Sequence, residues 1–551
     1  MPSLRDIWDA YSPIERRNMG IYIGGIMFYK LGLEFFNGSI TTLATDRFKA
    51  SNTFSKLGAA QGVNQAAQCV GAILIAPLIK RWPTRTVLSG AIILFCFMVL
   101  ILLIVDAATG GKMKPPGATA PIYGHWDANL IFLVWTLAGI AYGMVELIRR
   151  VIPADIVGGN VGKLRRMDAL VHVLYEVAGT AGAIGSSSAI SRWGNNYSFF
   201  LSPVFFAFAA GTWILISSFS ESSRHRNQAA LSDVDNGGRK NNYLVQITRG
   251  ARGFAESIWV GAVLVLTNRR FIWLLPSYAL ALYLHRFLET TLAPAFAKRV
   301  LGISAWSQII VGGSNFGELI GALSVFFLSD MVTTPLPWLR LDALNLNLVW
   351  LLPYLSSRAS PNVSWAWRLA GLFAPISMGW AAGDVSLAAY IQSALSESQI
   401  SHKNVSTLGA VMAFLYSTYI VLDAVLSTLL GRVIDNDWVN HNNIKSSLTH
   451  VGGIQFSVCC GIILISSLIP LGALALNPKD IGSINLLHMD DVEEESVEDM
   501  YPKFERQKME DLNLKLERQG SEDPDFAFER QGTEDVNFRY GRQRRDFEPR
   551  Y

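Results

Sequence analysis

Only 17% of the 551 residues are charged, against roughly a quarter in an ordinary soluble domain, so the chain has too few charges to cover a water-facing surface. Cysteine is almost missing. The four present (Cys69, Cys96, Cys459 and Cys460) lie in apolar runs without CxxC spacing, which argues against a disulfide scaffold, a zinc site or redox chemistry. No Walker loop, zinc-ligand spacing or nucleophile elbow occurs, so nothing points to ATP hydrolysis, to an enzyme or to a bound cofactor. The shortage of charge also disfavours a nucleic-acid binder, and the net charge of +3 takes its meaning only from where the charges lie. Met1 to Arg17 is polar and contains no apolar core of a cleaved signal peptide.

What fills the chain instead is apolar: half the residues are hydrophobic, among them 29 Phe and 15 Trp. A bilayer crossing needs about 20 apolar residues. Twelve stretches qualify, near 20–44, 57–79, 86–107, 128–148, 169–191, 198–219, 271–296, 305–329, 338–357, 365–391, 405–431 and 449–476. We number these spans 1 to 12. Residues 254–268 are apolar but short, and with the preceding basic segment they read as an amphipathic helix on the inner membrane surface rather than a thirteenth span. Lys and Arg concentrate on one set of loops, which puts both termini in the cytoplasm. The sequons at Asn196 and Asn362 then face outward as glycosylation candidates.

The two halves repeat each other. Tyr29-Lys30-x3-Glu34 in span 1 matches Leu284-His285-x3-Glu289 in span 7. Gln68-x2-Gly71-Ala72 matches Glu318-x2-Gly321-Ala322 in spans 2 and 8, and Gly139-x3-Gly143 matches Gly379-x3-Gly383 in spans 4 and 10. Leu174-Tyr175 and Ser187-x4-Arg192 in span 5 match Leu415-Tyr416 and Ser427-x4-Arg432 in span 11. The pairs keep their order at offsets of about 240 to 255, the mark of six helices duplicated in parallel. The glycine pairs suit close helix packing.

This duplication, with a long basic loop between the halves, resembles the major facilitator superfamily (MFS) over roughly residues 15–476, in a fungal-type branch with a degenerate gate motif. The family's loop between helices 2 and 3 pairs an acid with several bases. Here it reads Ala76-Pro-Leu-Ile-Lys80-Arg81-Trp82-Pro83-Thr84-Arg85, with Lys80 where the acid belongs. In the second half the converse holds, since Asp330 aligns with Lys80 and the bases are lost. The resemblance implies an all-α polytopic membrane protein of two six-helix bundles. Its expected divisions are a cytoplasmic N-terminus 1–19, bundles 20–219 and 271–476, a linker 220–270 with the amphipathic helix, and a tail 477–551.

An ionisable group at mid-membrane costs about 2.5–3.5 kcal/mol on insertion scales, so such groups face a cavity or each other. Span 1 carries Lys30 and Glu34; span 7 carries His285, Arg286 and Glu289. Spacing i,i+4 puts Lys30 with Glu34 and His285 with Glu289 on one face. In the superfamily these spans line a central cavity, so the five residues are expected to form a substrate and proton site. Glu34 or Glu289 would be the coupling acid, and Lys30 or Arg286 would attract an anionic group of the substrate. Asn64, Gln68, His172, Glu176 and Glu318 are further cavity candidates, with interhelical hydrogen bonding as their bland alternative. Lys80, Arg81, Arg85, Glu146, Arg149, Arg150, Asp168 and Asp330 resemble a cytoplasmic gate. For the arginines the alternative is membrane anchoring, and for Asp168 it is an N-cap of span 5.

After Ala475 the composition changes. From residue 479 there are 12 bases and 20 acids, against 35 and 24 in the preceding 478 residues. The tail repeats Phe504-Glu-Arg-Gln, Leu516-Glu-Arg-Gln, Phe528-Glu-Arg-Gln and Tyr540-Gly-Arg-Gln every 12 residues, too polar to bury a core. Ser496, Ser521 and Thr533 lie beside acids as phosphorylation candidates, and the repeat could bind a regulatory protein. The expectation is a proton-coupled secondary transporter of a small organic solute in the plasma membrane, or in a vacuolar or other organelle membrane. Efflux of a secondary metabolite or xenobiotic, uptake of a nutrient or organic anion, and a non-transporting receptor or scaffold stand as alternatives.

Overall fold

The computed structural model describes residues 11–118, 120–157, 161–217, 243–328, 331–397, 407–470 and 472–478. Lys80 and Arg150 lie on described helices, but their side chains do not fall within the description. Asp330, Ser496, Ser521, Thr533 and the tail lie outside the described residues.

Thirteen helical rods account for almost all of the described chain. The first half contains α1 (Pro13–Arg47), α2 (Thr53–Arg81), α3 (Thr84–Ala108), α4 (Leu130–Ile156), α5 (Val161–Trp193) and α6 (Leu201–Ile214). Then comes α7 (Tyr243–Thr267). The second half contains α8 (275–299), α9 (Ser307–Leu328), α10 (336–356), α11 (Val363–Glu397), α12 (Thr407–His441) and α13 (Lys445–Ser466). Spans 1–6 are thus α1–α6, and spans 7–12 are α8–α13. Seven of these rods are long and apolar enough on their own to cross a membrane.

Local chemistry sets the ends. The start of α1 is a capping box: Ser12 Oγ accepts from the Glu15 backbone N–H at 3.2 Å, and Glu15 Oε2 accepts from the Ser12 N–H at 2.7 Å, with Pro13 in the first turn. Glu15 also pairs with Lys163 at 2.8 Å, which fixes the start of α1 beside the start of α5. The end of α6 returns to the same face of the bundle, where the Ser217 N–H donates to Asn18 Oδ1 at 3.1 Å.

The repeat reappears as packing. Gly71 on α2 sits so close to α4 that an added Cβ would lie 2.0 Å from the Ile140 carbonyl oxygen. Its repeat partner Gly321 on α9 makes the equivalent approach to α11, 2.3 Å from the Met378 carbonyl oxygen. Gly139 and Gly143 hold α4 against α2 in the same way, so this glycine pair serves packing within a half.

α7 packs Val260, Gly261 and Val265 inward and leaves Trp259 and Leu244 exposed. Its Gly261 approaches the Ala410 backbone of α12, and the Tyr243 hydroxyl donates to the Leu74 carbonyl at 2.8 Å. It carries Arg249, Arg252 and Glu256 along its length and is not among the seven apolar rods.

Asp168 does not cap span 5. α5 begins at Val161, seven residues earlier, and Asp168 is an exposed residue in the body of the helix. The sequon at Asn196 is also corrected. The residue is 1% exposed, and its Nδ2 donates to Asp106 Oδ2 at 2.8 Å and to the Ile122 carbonyl at 3.0 Å, so the nitrogen is committed inside the fold, with no space there for a glycan. Asn362 remains exposed.

Candidate functional site

A cavity of 1540 Å³ runs between the two halves. At one end it is bounded by Arg81 on α2, Pro153 on α4, Asp168 on α5 and Arg249 on α7; its innermost residues include Thr41, Gln61, Thr290 and Gln308. Beyond that floor the halves are joined. Asp46, at the end of α1, accepts from Lys298 Nζ at 2.6 Å, Ser304 Oγ at 2.8 Å and Asn195 Nδ2 at 2.8 Å. Asp435 on α12 accepts the free N–H groups of Phe54 and Ser55 at 3.0 and 2.9 Å, capping α2 from the other half. A carboxylate at a helix N-terminus satisfies orphan donors and meets the positive end of the helix dipole. Arg299 adds a hydrogen bond to the Ala50 carbonyl at 3.2 Å.

The charged residues of span 1 stand as the spacing predicts. Lys30 Nζ lies 2.7 Å from Glu34 Oε1, and the lysine is 8% exposed. Two glycines of α5 make that burial feasible: a Cβ at Gly179 would lie 2.5 Å from Lys30 Cε, and one at Gly182 would lie 2.9 Å from Glu34 Cβ. The ammonium also sits 4.6 Å from the centre of the Tyr175 ring, a cation–π contact.

Span 7 departs from expectation. α8 is interrupted by two wide π turns, Leu275–Leu280 and Leu288–Leu292, and Pro294 follows the second. Proline cannot donate to the preceding turn and its ring crowds the carbonyl there, so the helix widens. Glu289 lies in that wide turn and pairs with Arg286, at 3.4 Å, rather than with His285. Ser314 of α9 donates to its other oxygen. His285 instead turns away from the cavity. Its Nε2 is 2.9 Å from Asp342 Oδ1 on α10, and its ring stacks on Trp380 at 5.4 Å. The cavity therefore receives four of the five expected residues, and His285 serves as a buried tie between α8 and α10.

All five secondary candidates, Asn64, Gln68, His172, Glu176 and Glu318, line the cavity. Asn64 makes an interhelical bond, its Nδ2 donating to the Trp135 carbonyl at 2.7 Å, whereas Gln68 bonds within α2, its Nε2 donating to Asn64 Oδ1 at 3.0 Å. Buried His172 Nε2 and Glu176 Oε2 have no hydrogen-bond partner.

The gate candidates separate. Glu146 binds Arg149 at 2.7 Å on α4, and the Tyr29 hydroxyl donates to the same acid at 3.2 Å. Arg85 donates to the Ile216 carbonyl at the end of α6, which makes it a tie within the first half rather than between halves. Arg81, Glu146, Arg149 and Asp168 border the open end of the cavity. The inter-half lock actually present, Asp46 with Lys298 and Asp435 with the start of α2, is at the opposite end and was missed. Its partners are hundreds of residues apart; the available signal was an acid and a base closing spans 1 and 7.

A cavity between two repeated six-helix bundles, open at one end and locked at the other, defines an integral, multi-pass membrane protein of the transporter class. Residues 22–422 match the Major Facilitator Superfamily, and the chain belongs to that family. Its structure is similar to that of a D-xylose–proton symporter, with a TM-score of 0.56 at 12% identity, covering 84% of this chain and 99% of the symporter. It is also similar to the xylose transporter XylE from E. coli in a partially occluded inward-open conformation, with a TM-score of 0.54 at 12% identity over 83% of this chain and 97% of that one. A POT family transporter in complex with a thioalcohol-conjugated peptide gives a TM-score of 0.51 at 10% identity, over 82% and 96% of the two chains. No curated protein matches the sequence.

Proposed function

We propose that the protein is a proton-coupled secondary transporter of a small organic solute, working by alternating access. The observation that carries this reading is the placement of two acid–base pairs, the buried Lys30–Glu34 and Arg286–Glu289 with its arginine exposed to the cavity, on repeat-related helices that face one cavity. Each acid has a base as its partner, so taking up a proton on Glu34 or Glu289 releases a cation inside the cavity. A released cation in a low-dielectric space favours a rearrangement that gives it a new partner. Rocking of α1–α6 against α8–α13 would then close the open end and break the Asp46–Lys298 lock. With basic loops inside, the open end and both termini face the cytoplasm, and the plasma membrane is the destination we favour.

Uptake and export both follow from such a cycle. Protein reconstituted in vesicles containing a pH dye, with proton gradients of either polarity, assigns one of them from the sign of the solute-elicited pH change. Glu34→Gln and Glu289→Gln are expected to abolish proton-driven movement. Unchanged pH-dependent transport in both variants would sink the coupling assignment.

A further inference from the structure

Six charged side chains on α1, α5, α8 and α9 line the cavity: Lys30, Glu34, Glu176, Arg286, Glu289 and Glu318. Both bases are already engaged, Lys30 by Glu34 at 2.7 Å and Arg286 by Glu289 at 3.4 Å. Two acids are left over. Glu176 on α5 and Glu318 on α9 form no ion pair with a described residue. Glu176 is 3% exposed, and its Oε2 is buried without a hydrogen-bond partner. On α9, Asn315 is 4% exposed, and its Nδ2 is likewise an unused donor.

A buried carboxylate oxygen without a donor is costly, and a cavity that keeps one is incomplete without something to meet it. The two leftover acids face the same cavity. They belong to opposite halves, and α5 and α9 meet where Gly312 packs on Ile184. A positive group held between them would therefore touch both moving bodies at once. The surroundings suit a cation as well, because Tyr142 and Trp380 line the same space.

We propose that this site takes a solute bearing a cationic group, a protonated or quaternary amine, held between Glu176 and Glu318, with the Asn315 amide donating to an acceptor elsewhere on the solute. The proposal rests on the transporter reading and names its substrate class. It replaces the sequence expectation of an anion drawn by Lys30 or Arg286, because both bases have their acids. Glu34 and Glu289 remain free for proton coupling.

The test is equilibrium binding to the purified full-length protein of four probes of similar size: phenethylamine, its trimethylammonium analogue, 2-phenylethanol and phenylacetate. At least one of the two cations is expected to bind at least tenfold more tightly than the alcohol, with the anion weakest. Glu176→Gln and Glu318→Gln are each expected to reduce that cation advantage tenfold or more while leaving the alcohol unchanged. Should Glu176→Gln fail to fold, Glu318→Gln, at a partly exposed position, carries the same readout. Failure of both cations to bind, a preference for alcohol or anion, or an undiminished cation advantage in the variants overturns the proposal. Cation binding without flux in vesicles would retire the transporter reading and leave the site; flux of neutral or anionic solutes without cation preference would do the reverse.

Discussion

The tightest joint between the halves is where α2 crosses α12 below the cavity floor, and it gives the sharpest prediction. A Cβ at Gly58 would lie 2.6 Å from the Ser427 carbonyl carbon and 2.8 Å from the Thr428 nitrogen. Gly431 on α12 makes the reciprocal approach, 2.5 Å from the Phe54 backbone. Backbone atoms cannot rotate aside, and ordinary carbon contact needs about 3.5–4.0 Å, so Gly58→Leu must push the helices apart by about 1 Å or more. Overpacking of a tight contact costs about 1–3 kcal/mol, charged here against the closed state alone. That shifts the equilibrium about 5- to 150-fold towards the state in which this end is open. Spin labels at exposed Lys49 and Asn443, one on each half at this end, report the change by pulsed electron-resonance distances. A new, longer distance population is expected in Gly58→Leu and not in Gly20→Leu, where nothing lies within 4 Å of the added carbon. An unchanged distribution in folded Gly58→Leu would refute the assignment of this crossing as a closed gate.

Other predictions concern single charges. Lys30→Met leaves Glu34 buried without its base and is expected to destabilise the protein by about 3–5 kcal/mol, while Lys30→Met combined with Glu34→Met recovers much of the loss; thermal unfolding in detergent compares them. Asp106 accepts from the Gly124 N–H, the Trp126 indole and Asn196 Nδ2, all at 2.8 Å, and so pins the 109–129 loop to α3. Asp106→Ala is expected to raise hydrogen exchange across that loop by more than tenfold and to leave α8–α13 unchanged. Exchange spread evenly over both halves would contradict a local role.

Much of the architecture is legible in the sequence because apolar length and internal repetition are properties of the chain itself. The Lys30–Glu34 pair is legible for the same reason, being set by helical periodicity alone. Periodicity misleads at His285, where the π turns of α8 break the i,i+4 rule and Glu289 meets Arg286 instead. It says nothing of Asp46 and Lys298, whose meeting depends on how two bundles dock. The Asn196 sequon shows the limit of a motif: the pattern is intact, yet the fold uses the asparagine as an internal strut for Asp106. Glu176 and Glu318 were visible as cavity candidates, but only three-dimensional pairing shows that they are the two acids left over.

Alternating access around one cavity is most directly tested by the reactivity of a single cysteine placed at Asn64, in protein whose four native cysteines have been replaced, in sealed vesicles of known orientation. Impermeant maleimide added to either face in turn is expected to label Cys at position 64 from both sides, with Gly58→Leu favouring the face that the Asp46–Lys298 lock now closes and suppressing the other. Labelling from one face only, in both backgrounds, would contradict a transport cycle, and undiminished labelling from both faces together with ion leakage would mean a pore.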